Sequence, residues 1–379
     1  RIIGDYRLPT IRRLIEKYYP KLVEEVSAAY KDRALVNLSH WDPSSEFASV
    51  MASTLRPPDD GSAIPYLYSP GDADLSLAME VTGIRRSSVI TTASTTASIA
   101  AVLFWLATRA RSLLVVAPSY FTVGLLAEAL GFDVTFATLR RTQSGYELPD
   151  LPDADAIWIT NPTYCTTHYF SDEQLRFFRS WLERQRPVIA DEAMAFPGTN
   201  AGSYLAPHRL FIGMYSPHKA IGINGLKCSL IACDETVRPE LLEVFDAFVG
   251  GLPISTMTAV AHLATPNFRK CSETYVKYVS RAYERVSEAV RQYDHVELDR
   301  FALTSFVSAF VPTVPASAGS DRTFLVAGCE RASAIAFPAT IHGYGPEAGF
   351  GFRLNLTAVD DKFIAALHRW CQYLEQAKC

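Results

Sequence analysis

No apolar run in the chain approaches the roughly 18 residues that a membrane-spanning helix needs, so a membrane is not expected among its partners. Long runs of lysine and arginine are also missing, and the formal net charge is -4. The electrostatic footprint of a nucleic-acid binder is therefore absent. The first stretch, RIIGDYRLPTIRRLIEKYYP, is charged and amphipathic and lacks the apolar core of a signal peptide. Seven cysteines are present, Cys165, Cys228, Cys233, Cys271, Cys329, Cys371 and Cys379, and no two form a CxxC pair. An odd number without that spacing fits free thiols in a reducing cytoplasm better than a disulfide framework or a zinc site. Internal repeats and low-complexity tracts are missing too.

What is present is an ordinary folding composition, 49% hydrophobic and 20% charged over 379 residues. That length allows a large and a smaller domain. Residues 7–33 read as helix, and ALVNLSHWDP as a short strand running into a turn. From about residue 84, apolar strands alternate with helices: SSVITTAS, SLLVVAPSY, FDVTFATL, ADAIWITNPT, PVIADEA and RLFIGMYS are the strand segments. Several are apolar throughout, as strands buried on both faces of a parallel sheet are. After about residue 255 a long helical stretch leads to short strands in HVELDR, LTSFVSAFVP and FGFRLNLTA, then to a last helix, DDKFIAALHRWCQYLEQA. The expected fold is α/β: a large domain with a mostly parallel sheet flanked by helices, over residues 46–255, and a smaller α+β domain, over 256–379. Residues 1–45 would supply an N-terminal helix and a segment joining the small domain.

In open parallel sheets, ligands bind beyond the carboxyl ends of the strands. Five strand ends deliver polar or aromatic groups: TTASTTAS, APSYF, NPTY, DEAM and SPHK. Together they form a polar floor for a charged ligand. In TTASTTAS, Ser94 and Thr95 stand where a strand turns into a helix, so they suit either a phosphate at a helix N-terminus or plain N-capping. Asp191 follows PVIA and is expected to be buried with a partner, a basic group of the protein or a protonated ring nitrogen. Tyr120 reads as a stacking aromatic or a core residue, and Asn161 as a ligand contact or a turn residue. Lys219 follows an apolar strand. A desolvated lysine has the lowered basicity a nucleophilic amine needs, whereas a snorkelling one does not.

The order hydroxyl turn, aromatic, Asn, Asp, Ser-x-x-Lys resembles the class I/II aminotransferase family of fold type I pyridoxal-5′-phosphate (PLP) enzymes, over residues of about 36 to 357. The resemblance implies that Lys219 in SPHK holds PLP as an internal aldimine and serves as the catalytic base. It implies that Ser216, with Ser94 and Thr95, binds the phosphate. Relatives carry an arginine eight residues after the lysine; here Lys227 keeps the charge without the bidentate fork. Asp191 would pair with the pyridine nitrogen, Asn161 bond the ring hydroxyl, and Tyr120 stack on the ring. PYLYSPGDADL is similar to the segment whose tyrosine reaches the partner's phosphate in a homodimer, with Tyr66 favoured over Tyr68. In GFGFRLNL, Arg353 would clamp the substrate carboxylate.

Three departures from that pattern bear on the reaction. Met194 stands where relatives have a tyrosine. Trp41, in NLSHWDP with His40 beside it, stands where a glycine is common. NPTYCTTHYF puts Tyr164 and His168 near the expected site. An aminotransferase acting on an α-amino acid is the expected function. A PLP-dependent lyase, eliminase or cyclase of specialised metabolism, acting on a bulky or modified amino acid, is the alternative. A PLP-binding transcription regulator and a cofactor-free α/β binding protein are the readings from other classes; the first lacks a helix-turn-helix pattern to support it.

Overall fold

Runs of β-branched and apolar residues bounded by polar turns form seven strands of one sheet in the computed structural model. They are β1 (Val89–Thr92), β2 (Ser112–Ala117), β3 (Asp133–Thr138), β4 (Ala156–Thr160), β5 (Val188–Glu192), β6 (Phe211–Tyr215) and β7 (Ser229–Ala232). The structure describes residues 8–18, 21–54, 77, 81, 88–143, 145–164, 166, 168–196, 201–206, 208–248, 252, 253, 255, 256, 260, 263 and 267–376. The spatial order is β1-β7-β6-β5-β4-β2-β3. All neighbours are parallel except β7, which runs antiparallel to both β6 and β1. Six of these strands match the expected segments; β7, whose four residues follow a glycine-containing turn, is an addition to them. An antiparallel return needs no crossover helix, so the alternation of strand and helix gave no signal there.

Side chains alternate across the sheet, and both faces are covered. Leu113, Val115, Trp158, Ile189 and Ile212 face Ile99, Leu103 and Leu106 of the helix Thr95–Ala107. Leu114, Val116, Ile157, Ile159 and Phe211 face Phe178, Trp181 and Leu182 of the helix Asp172–Glu183. Burying each such side chain is worth roughly 1.5–3 kcal/mol, which fixes the strand register as well as the layers.

A second, antiparallel sheet has the order β8 (Glu297–Leu298), β9 (Phe306–Val311), β10 (Phe350–Asn355). Val307, Ala309, Phe352 and Leu354 pack on the helices Asn267–Val290 and Asp361–Gln376 through Val279, Val286, Phe363 and Trp370. The expected single helix over 7–33 is two helices, Leu8–Tyr18 and Leu22–Ala29, and Pro20 falls between their ends in the sequence. Val36–Asn37 pairs in parallel with Ala334–Ile335, which carries Ser39 and Trp41 towards β10. No helix among the described residues is long and apolar enough to cross a membrane. Cys228, Cys233, Cys271, Cys329 and Cys371 are buried free thiols. Tyr66 and its alternative Tyr68 lie outside the described residues, as do Cys165 and Cys379.

Candidate active site

Because β2, β4, β5 and β6 are parallel, their last residues reach one edge of the sheet. Thr160 and Asp191 there, with residues that follow the other strand ends, border a cavity of about 420 Å³ whose wall includes Trp41, Tyr120, Met194, Lys219 and Lys227. Ser94, Thr95 and Tyr164 also line it. Lys219 is carried by the one-turn helix Pro217–Ala220, which begins directly after β6 and Ser216. The turn is held by four backbone bonds: the Lys219 and Ala220 N–H groups donate to Ser216 O (2.9 and 3.1 Å), the Gly222 N–H to Lys219 O (3.1 Å), and the Ile223 N–H to His218 O (2.7 Å). Gly222 has φ +71, the left-handed conformation glycine tolerates.

The Lys219 Nζ lies 5.4 Å from the Trp41 ring centre and 5.9 Å from that of Tyr120. Burial lowers the pKa of this amine; the Asp191 carboxylate opposes the change and Lys227 reinforces it. Asp191 is 4% exposed, and burial raises its pKa against the pull of Lys219 and of the Ala193 N–H, which donates to Oδ1 at 3.1 Å. The two groups sense each other's charge without an ion-pair contact within 4.0 Å. An amine and a carboxylate thus face one space from different strand ends, each pushed towards its neutral form by desolvation.

Around them the hydroxyls are ordered. The Ser94 Oγ accepts from the Ala97 N–H (3.2 Å) and caps the helix Thr95–Ala107, so the capping alternative holds for this side chain. Thr95 and Ser216 share a hydrogen bond between their hydroxyls. The Asn161 amide donates to Glu192 Oε1 (2.8 Å), and its Oδ1 accepts from the Phe170 N–H (3.0 Å). Arg353 is 2% exposed; its Nη2 donates to Ser39 O (2.6 Å) and its Nη1 to the Tyr164 hydroxyl (3.4 Å). Its guanidinium carbon lies 4.6 Å from the Phe306 ring centre and 5.6 Å from that of Trp41.

The structure therefore brings Ser94, Thr95, Tyr120, Asp191, Lys219, Lys227 and Trp41 to the cavity surface. Ser216 and Arg353 stand one side chain behind that surface, bonded to Thr95 and Tyr164, whereas Asn161 is not on it and its amide is engaged by Glu192 and the Phe170 N–H. Met194 and Tyr164 line it as well. His168 is elsewhere: its ring packs 5.4 Å from Tyr146 and 5.5 Å from Phe170, and burial pushes its pKa down to about 4. His40 is exposed and pairs with Asp42 (Nδ1 to Oδ2, 2.8 Å).

Two groups that the sequence reading did not single out belong to the surroundings. His218 lines the cavity, and burial, with Lys219 beside it, pushes its pKa down to about 3. Glu192 follows Asp191 in β5 and accepts from Asn161 and from the N–H groups of Ala201 and Gly202; burial raises its pKa to about 7. A second carboxylate directly after Asp191, at the end of an apolar strand, was the available signal for Glu192.

No family model matches the chain, and no curated protein sequence does. Solved structures do match in fold. YbdL from Escherichia coli, identified with a methionine aminotransferase function, superposes with a TM-score of 0.74 at 14% identity, over 95% of this chain and 98% of that one. N-succinyldiaminopimelate aminotransferase from Mycobacterium tuberculosis gives 0.77 at 16% identity, over 95% and 98%. Aspartate aminotransferase from Thermus thermophilus, solved with maleate, gives 0.74 at 15%, over 95% and 98%. The chain has the fold type I architecture of these proteins across nearly its whole length.

Proposed function

We propose that the protein is a PLP-dependent aminotransferase acting on an α-amino acid, with Lys219 the amine that holds the cofactor. One observation carries the reading: a half-buried amine whose basicity desolvation lowers shares a 420 Å³ cavity with a buried carboxylate, beside aromatic rings, without an ion-pair contact between them. The residues fit the group. Hydroxyls and free N–H groups at the start of the helix Thr95–Ala107 suit a phosphate, with Lys227 as counter-charge. Asp191 suits a protonated ring nitrogen, and a cation there would relieve the cost of its burial. Tyr120 offers a ring face, and Asn161 is assigned to the ring hydroxyl.

When bound, the cofactor supplies an aldehyde that condenses with amines and a ring that withdraws electrons from the α-carbon. The remaining work falls to the chain. With its amine unbonded, Lys219 would act as the general base that takes the proton from the substrate α-carbon and holds it at Nζ. Desolvation favours the neutral amine that this requires. Arg353, whose Nη1 already donates to the cavity wall at Tyr164, is assigned to the substrate carboxylate. Trp41 shapes the substrate's place beside Lys219. The amino-acid activities named for the fold neighbours support this substrate class.

The proposal includes a cytoplasmic homodimer in which Tyr66 reaches the partner's site, and the division into residues 1–45, 46–255 and 256–379. The test is amino transfer from an amino-acid panel to a 2-oxo acid. Transfer is expected, and Lys219→Ala should lower it by at least about a hundredfold. Release of ammonia without any acceptor, or full activity in Lys219→Ala, would contradict the reading.

A further inference from the structure

A second cavity, of about 720 Å³, is bordered by Tyr120, the side chain that also lines the first. Its walls come from the helix Leu8–Tyr18, the start of the helix Phe121–Ala129, and residues 340–343. Phe121, Phe136 and Ile341 make much of that wall apolar, while Asp321 and His342 bring buried polar atoms to it.

His342 is 6% exposed, and neither ring nitrogen has a hydrogen-bond partner among the described residues. Its ring stands edge-on to Tyr164, 4.9 Å between centres, and Tyr164 belongs to the wall of the first cavity. Asp321 is 3% exposed; its Oδ2 accepts from the Thr340 hydroxyl, while Oδ1 has no partner among the described residues. Buried polar atoms are rarely left unpaired, so three on one cavity call for a ligand or for water. The cations on the same wall are already engaged: Lys17 pairs with Glu128 (2.5 Å) and Arg322 with Glu25 (3.5 Å). Burial, and then the charge of Arg353, keep His342 neutral, so it offers no charge to a carboxylate. Burial raises the pKa of Asp321, a change that a donor at Oδ1 would offset.

We propose that this second cavity receives the side chain of the amino-acid substrate. Asp321 and His342 would select a long or aromatic side chain that ends in a hydrogen-bond donor, such as an amine, over the hydrocarbon or carboxylate of similar size. The inference rests on reading the first cavity as the cofactor and α-carbon site.

The test is binding of a matched set, 4-aminophenylalanine, phenylalanine and 4-carboxyphenylalanine, measured by calorimetry on PLP-treated protein. The amine should bind about ten- to hundredfold more tightly than either other compound, the size expected when a buried acceptor gains or lacks its partner. In Asp321→Leu that preference should shrink to about twofold or less, with Asp321→Asn intermediate, because an amide oxygen still accepts but without charge. Equal binding of the three compounds to the unaltered protein, or an unchanged preference in both variants, would overturn the proposal. The visible absorbance of the same samples reports the cofactor separately. Colourless protein contradicts the PLP reading and with it this inference, whereas coloured protein that binds the three compounds equally overturns this inference alone.

Discussion

At the residue scale, burial changes which protonation state a side chain holds, and the site is built from that effect. Lys219, Asp191 and Tyr120 were legible in the sequence because each closely follows an apolar strand, which places it near the strand's end, and for Lys219 and Asp191 also in a desolvated setting. Glu192 and His218 were not, because their burial depends on the helix and loops packed over them. Glu192 gives a stability test. Its pKa is raised from 4.5 to about 7 by burial. The folded state therefore keeps the proton to higher pH than the unfolded chain does. Its favourable contribution is complete below about 4.5 and is lost as pH rises through about 7, by about 3 kcal/mol in all. Glu192→Gln should flatten the fall in stability over that window, read as denaturation midpoints at several pH values. An equally steep fall in the variant would contradict this account of Glu192.

At the scale of elements, the turn after β6 decides where the amine sits. Gly222 closes it at φ +71, and a Cβ there would stand 2.9 Å from the Phe47 ring. Gly222→Ala is expected to cost about 1–3 kcal/mol and to weaken cofactor binding, since strain in the turn shifts Lys219. Thermal unfolding and a PLP titration check both effects; a variant unchanged in both would contradict the role given to the turn. Other elements show where sequence reading stops. The helix Thr95–Ala107 was legible from its hydroxyl start and apolar body. β7 was not, because an antiparallel strand of four residues leaves no helix to mark it. His168 shares a loop with Tyr164 yet faces Tyr146, because sequence order within a loop does not set which way each side chain turns.

At the scale of the whole molecule, the site is assembled from residues as far apart in sequence as Trp41 and Arg353. The layers were legible because continuous apolar strands need cover on both faces, and the intervening helices supply it. That residues 1–45 join the small domain was read from the sequence; the two-residue pairing of Val36–Asn37 with Ala334–Ile335 was not, since so short a strand leaves no pattern. Such an assembly gives Lys219 its lowered basicity only in the folded chain. Reductive trapping tests this most directly: PLP and borohydride are added to native and to urea-unfolded protein near neutral pH, and the modified lysine is located by peptide mass mapping. Native protein should carry one adduct, at Lys219, and the unfolded chain should carry adducts spread over its lysines. A native protein modified elsewhere, or not at all, would contradict the assignment of Lys219 as the cofactor's amine.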